Sequence, residues 1–204
     1  MKTFAFVAVL CTVATTAFAG EKAAPAASPA AAATAAPAMG DKKMDMAMDM
    51  KPAAEMDKMK GMVGTWKCDG KAADMGKPSM HPIKSTMKMS SELGGHWIMV
   101  NYDEAKTKEN PMPFAFKEVI GWDKEKAMYN RMFIDNMGGT AMFHASPAAA
   151  DGKMEWNGEA QMGAMKMPMK DVVTMKGEKE VLVDVTAQGP DGKWMPVANM
   201  TCKK

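Results

Sequence analysis

Two cysteines, Cys68 and Cys202, bracket the whole stretch of this chain that can build a core, while the third, Cys11, lies in an apolar leader. An even pair in an exported chain most simply makes one disulfide. Such a bond sets the first and last strands side by side. In an antiparallel meander those two strands meet only when the sheet closes on itself.

The residues between the cysteines support a meander. From Met62 onward the apolar pattern has a period of two and is broken at regular intervals by turn signals. Strands are expected at about Val63–Asp69, Ile83–Ser91, His96–Tyr102, Phe114–Asp123, Ala127–Asp135 and Thr140–Ala145. Four more follow at about Met154–Met162, Met167–Met175, Val181–Gln188 and Trp194–Lys203. The clearest alternates Met154, Trp156, Gly158, Ala160 and Met162 with Glu155, Asn157, Glu159 and Gln161. Residues Lys71 to Pro82 read as loop, and Gly94-Gly95 as a tight reversal that needs positive φ. Short connections rule out parallel crossovers. The expected fold is all-β: a closed antiparallel up-and-down barrel of about ten strands. A short capping helix is expected over Pro52–Met59, with Met56 and Met59 as its packing face and Gly61 at its end.

The chain opens with Met1-Lys2, the apolar run Phe4 to Leu10, and Ala17-Phe18-Ala19. A basic start, an apolar core and small residues before the cut describe a secretory signal peptide over residues 1–19. Residues 20–51 read as a tether, first rich in alanine and proline and then in methionine, with little to bury. Residues 52–204 are left as the barrel domain. The expected location is the periplasm or the exterior, with no transmembrane segment and a monomeric body. Basic and acidic side chains, 26 against 24, nearly balance. That balance argues against nucleic acid or an anionic membrane as partner.

Gly64-Thr65-Trp66 after a short helix resembles the Gly-x-Trp signature of the lipocalin and fatty-acid-binding-protein superfamily, the calycins. Leu93-Gly94-Gly95-His96-Trp97, Gly121-Trp122-Asp123 with Lys126 and Tyr129, then Asp135 and Gly139-Thr140, are similar to a bacterial domain-of-unknown-function family. The resemblance covers about Met56 to Lys204 and implies a calycin-like barrel. The likeness has limits. Lipocalins stack an arginine from the last strand on the motif tryptophan, where this chain has only Lys203 and Lys204. Haem-binding relatives use a late histidine, and none follows His144 here, which disfavours haem.

No chemistry of the familiar catalytic kinds is spelled out. There is no Gly-x-Ser-x-Gly, no glycine-rich phosphate loop and no His/Cys/carboxylate spacing of a metal site. A non-enzymatic barrel that binds a small, mostly apolar molecule is the expectation. Its interior candidates are Arg131, Tyr129, His144 and Trp97. Arg131 stands out as the one arginine of the chain, a planar fork suited to carboxylate. Tyr129, Arg131 and Phe133 share one strand face and Met128, Met132 and Ile134 the other. Both faces are apolar, so the pattern leaves the inward face open. Arg131 then meets an anionic ligand, pairs with Asp123, Asp135 or Glu155, or is simply exposed. No cofactor is expected on this reading. A second reading is copper, since the thioethers of Met44, Met46, Met48 and Met50 are soft ligands suited to Cu(I). A third is a barrel filled by its own side chains, serving structure or interaction.

Overall fold

A computed structural model describes residues 51–74 and 79–204. Helix α1, Ala54–Met59, continues as a 3-10 turn over Lys60–Met62, so Gly61 lies inside this element rather than ending it. Ten strands follow: β1 Gly64–Ala73, β2 Met80–Glu92, β3 Trp97–Glu104, β4 Ala115–Asp123 and β5 Met128–Asp135. The second half comprises β6 Thr140–Ala145, β7 Lys153–Met162, β8 Met165–Met175, β9 Glu180–Gln188 and β10 Trp194–Lys203. Each strand pairs antiparallel with its neighbours in sequence, and β1 pairs with β10, so the sheet is a closed up-and-down barrel.

Cys68 and Cys202 face each other in the β1–β10 register and are joined by a disulfide. The covalent bond therefore sits on the seam where the chain closes its own sheet. Lys71–Pro82 is less of a loop than its prolines suggest. β1 runs on to Ala73 and β2 starts at Met80, with Pro82 paired to Lys71. Pairing of β2 with β3 begins only at Ser85, so Pro82 lies where β2 has a neighbour on one side alone. Pro168 of β8 and Pro196 of β10 occupy equivalent one-sided positions, Pro196 beside a bulge. Proline lacks the ladder donor and is tolerated at such edges.

The two ends of the barrel differ. At the helix end Trp66 is fully buried and donates its indole N–H to Met62 O at 2.7 Å, while Met56 and Met59 press inward from α1. Lys204 lies 4.8 Å above the Trp66 ring and donates to Gly61 O at 2.7 Å. Tyr129 donates its hydroxyl to Glu55 O at 2.7 Å, which ties β5 to the helix. This end is plugged.

Toward the other end the inward residues are aromatic on one arc, where Tyr102, Phe116 and Phe133 pack ring against ring, and small on the rest. Ala141, Gly158 and Ala160 follow one another around β6 and β7, and Gly70, Ala72 and Ala198 do the same at the seam. Gly158 has a second reason to lack a side chain: a Cβ there would sit 2.0 Å from the Met142 carbonyl oxygen. Between these patches the inner wall carries the methionines Met169 and Met200. Gly158, Ala160, Met169, Met200 and Ala198 point inward yet remain only half-buried. Tyr102, Ala141 and Ala187 are nevertheless buried at this end. Its rim is organised by Glu104, which accepts from Asn110 Nδ2 at 2.8 Å and from Phe114 N at 2.9 Å and so orders the β3–β4 loop.

Candidate functional site

Strand phase decides which side chains can meet inside. β5 turns Tyr129, Arg131 and Phe133 inward, and leaves Met132 and Ile134 exposed on the outer face. β4 contributes Glu118 from a phase it shares with Phe116 and Ile120. β8 contributes Asp171 from a phase shared with Met169 and Val173. Each of the two acids interrupts an otherwise apolar inner stripe.

The three charged residues form one buried cluster near mid-height. Arg131 leaves β5 and lies across the rings of Phe143 on β6 and Trp156 on β7, its guanidinium carbon 4.2 and 4.8 Å from their centroids. Its terminal nitrogen then reaches Asp171 on β8 in a charge-assisted hydrogen bond. Arg131 Nε faces Glu118 Oε2 at 3.6 Å, close enough for attraction and too long for a hydrogen bond. All three residues are more than nine-tenths buried: Arg131 is 8%, Glu118 8% and Asp171 7% exposed. Arg131 Nε, Asp171 Oδ1 and the inward Ser85 Oγ are buried with no hydrogen-bond partner among the described residues.

Charge and burial compete here. Burial raises the pKa of Glu118, against the lowering effect of Arg131, and the nearby Asp171 raises it further. Burial also raises the pKa of Asp171, with Arg131 opposing through both charge and hydrogen bond. One guanidinium cannot hold two buried carboxylates fully ionised, so the pair tends to keep a proton. Asp171, in direct contact with Arg131, is the better placed to stay charged. Buried polar atoms without partners are uncommon and call for an explanation.

The four interior candidates from the sequence separate. Arg131 and Tyr129 do face the interior, but they serve different places, since the Tyr129 hydroxyl is committed to the helix end. Trp97 and His144 are corrections: both lie on the outer face, in the phase opposite to the core. Trp97 packs over Gly121, directly opposite it on β4, where a Cβ would come within 2.5 Å of the ring. His144 is exposed, with Nδ1 2.8 Å from Asn130 Oδ1. The partners of Arg131 are also corrected, from Asp123, Asp135 or Glu155 to Asp171 and Glu118. Asp123 instead accepts from Glu125 N and Lys126 N in the β4–β5 turn, and Asp135 accepts from Met137 N and Gly139 N in the next. Glu155 pairs with Lys170 on the outer surface at 3.0 Å. Met44, Met46, Met48 and Met50 lie outside the described residues.

Two shallow grooves lie away from the interior. One, of about 570 Å³, is lined by Met112, Pro113, Asn136, Met137 and Met162 at the open rim. The other, of about 550 Å³, runs along the outer face past His144, Pro147 and Glu155. Among the described residues no group of three or more His, Cys, Asp or Glu is placed to hold a metal. No helix among them is long and apolar enough to cross a membrane.

Solved structures show the same fold at very low identity. Rv2717c from M. tuberculosis is similar at 6% identity with a TM-score of 0.59, over 76% of this chain and 99% of that one. The S-type phycobiliprotein lyase CPES from Guillardia theta is similar at 7% identity with a TM-score of 0.50, over 72% of this chain and 90% of that one. No curated protein matches the sequence. Among the residues singled out in the sequence, Asp123 and Asp135 build turns, Gly121 receives Trp97, and Trp122 packs edge-on against Tyr129 at 4.9 Å. Residues 51–204, the helix and the entire barrel, match one family model, and the chain belongs to that family, Protein of unknown function (DUF1579).

Proposed function

We propose that this protein is an exported, calycin-like binding barrel with no catalytic chemistry of its own. It holds one small, mostly apolar molecule in the open half of its interior, against the cluster of Glu118, Arg131 and Asp171. The observation that carries this reading is the pair of buried, unpartnered atoms, Arg131 Nε and Asp171 Oδ1, on an inner wall where Gly158, Ala160, Met169 and Met200 stay only half-buried. Ligand sites of this kind are apolar clefts with a few fixed polar groups. The inward methionines suit such a pocket because thioether chains repack readily around different shapes. A fold like that of a phycobiliprotein lyase is consistent with small-molecule binding. Export is supported by the leader-like residues 1–19 and by a disulfide of the kind oxidising compartments favour.

Native mass spectrometry of the full chain purified from its own cell envelope tests the reading. The expected spectrum shows an added organic mass that is released on denaturation. Only the bare mass, under gentle desolvation, would contradict it. An added copper mass would point to the methionine tether instead.

A further inference from the structure

We infer that the interior site accepts ligands whose polar end donates a hydrogen bond, neutral or cationic, and rejects carboxylates. The inference rests on the interior being a binding site, as proposed above, and adds the charge class of what binds there.

An inward arginine in a β-barrel suggests an anion site, and the sequence alone invites that thought. The surroundings of Arg131 oppose it. Its guanidinium is flanked by Asp171 and Glu118 and lies over the faces of Phe143 and Trp156. Two carboxyl groups already share this one cation. The rest of the inner wall adds no positive charge to spare. In the inward phase of the described strands the charged side chains are Glu104, Glu118, Asp135, Asp171 and Arg131. His81, also in that phase, is held by Asp74 at 2.8 Å. Every lysine of the described strands is in the outward phase. A ligand carboxylate would enter a lumen where acids outnumber the single arginine, and like charges in low dielectric repel strongly.

The unfilled capacity has the opposite character. Asp171 Oδ1 is a buried acceptor waiting for a donor. Arg131 Nε, the unpartnered donor, already faces Glu118 Oε2 and is held by its charge. An ammonium, amide N–H or hydroxyl placed at Asp171 Oδ1 completes the acceptor. A cationic head group also offsets the second carboxyl, whose ionisation burial otherwise opposes.

Three probes of one chain length separate the possibilities: dodecylamine, dodecan-1-ol and dodecanoate, titrated at neutral pH into the full chain by calorimetry with Trp fluorescence alongside. The expected result is binding of the amine and the alcohol at least roughly tenfold tighter than dodecanoate. Asp171→Asn and Glu118→Gln should each narrow the gap between amine and carboxylate. Glu118→Gln keeps the side-chain shape and carries the test if the Asp171 variant fails to fold. Tightest binding by dodecanoate would overturn the inference while leaving the binding site standing. A gap that neither variant changes would overturn the role given to this cluster. Binding of none of the three would overturn the binding site and the inference together.

Discussion

Arg131 on β5 reaches Asp171, 40 residues further along the chain, by lying over the rings of the two intervening strands. The contact joins walls that the hydrogen-bonded ladder connects, by its shorter way round, through β6 and β7. Removing the cation leaves two buried carboxyl groups without a counter-charge. Arg131→Met should therefore destabilise the fold by about 3–5 kcal/mol, measured by urea unfolding. Arg131→Lys should lose part of this, because the ammonium keeps the charge but not the flat stacking on Phe143 and Trp156.

The same cluster sets a pH dependence of known sign. Folding raises the pKa of Glu118 and Asp171, so the native state holds protons that the unfolded chain has released. Stability then falls as pH rises above the ordinary carboxylate range, and the whole loss is present above the raised pKa values. Glu118→Gln removes one titrating group. Urea midpoints taken at acidic and alkaline pH should differ less in that variant than in the parent. An equal or steeper dependence would show that Glu118 is not the group responsible.

How far the site was readable in the sequence differs between its residues. Ten strands and the closing cysteine pair follow from alternation and turn signals, because a half-buried strand writes its phase in polar and apolar residues. β5 does not, since Met132 and Ile134 are apolar and yet face solvent. Its phase is settled by neighbours, as Arg131 stands opposite the inward Ile120 and Phe143. The partners of Arg131 were missed because nearby acids in the chain, such as Asp123 and Asp135, are turn builders. A usable signal did exist. Asp171 interrupts Met167, Met169, Val173 and Met175, and Glu118 interrupts Phe116, Ile120 and Trp122. An acid alone in an apolar phase, in a chain with a single arginine, marks an interior ion pair.

The disulfide closes a loop of 134 residues on the barrel seam. In the chain-entropy model it contributes on the order of 5 kcal/mol by restricting the unfolded chain. Cys68→Ala with Cys202→Ala should lower the denaturation midpoint accordingly while leaving the strand signal in circular dichroism. A free-thiol assay on the native parent should find neither cysteine reactive.

Tyr129 joins β5 to the capping helix through one hydrogen bond to Glu55 O. Tyr129→Phe keeps the ring against Trp122 and Trp156 and removes only that bond. The expected cost is about 1 kcal/mol, with faster amide exchange confined to α1. A change of exchange spread over the whole barrel would show that the hydroxyl matters beyond the plug.

The proposed ligand sits in the half of the barrel away from the helix, and Ala160 faces that half, inward and half-buried, opposite Ala141 and Met167. Titration of an uncharged, environment-sensitive dye into the parent and into Ala160→Trp tests this most directly. The account predicts saturable binding of one dye per chain in the parent and loss of that binding in the variant, with circular dichroism unchanged. Equal binding by both proteins, or none by the parent, would contradict it.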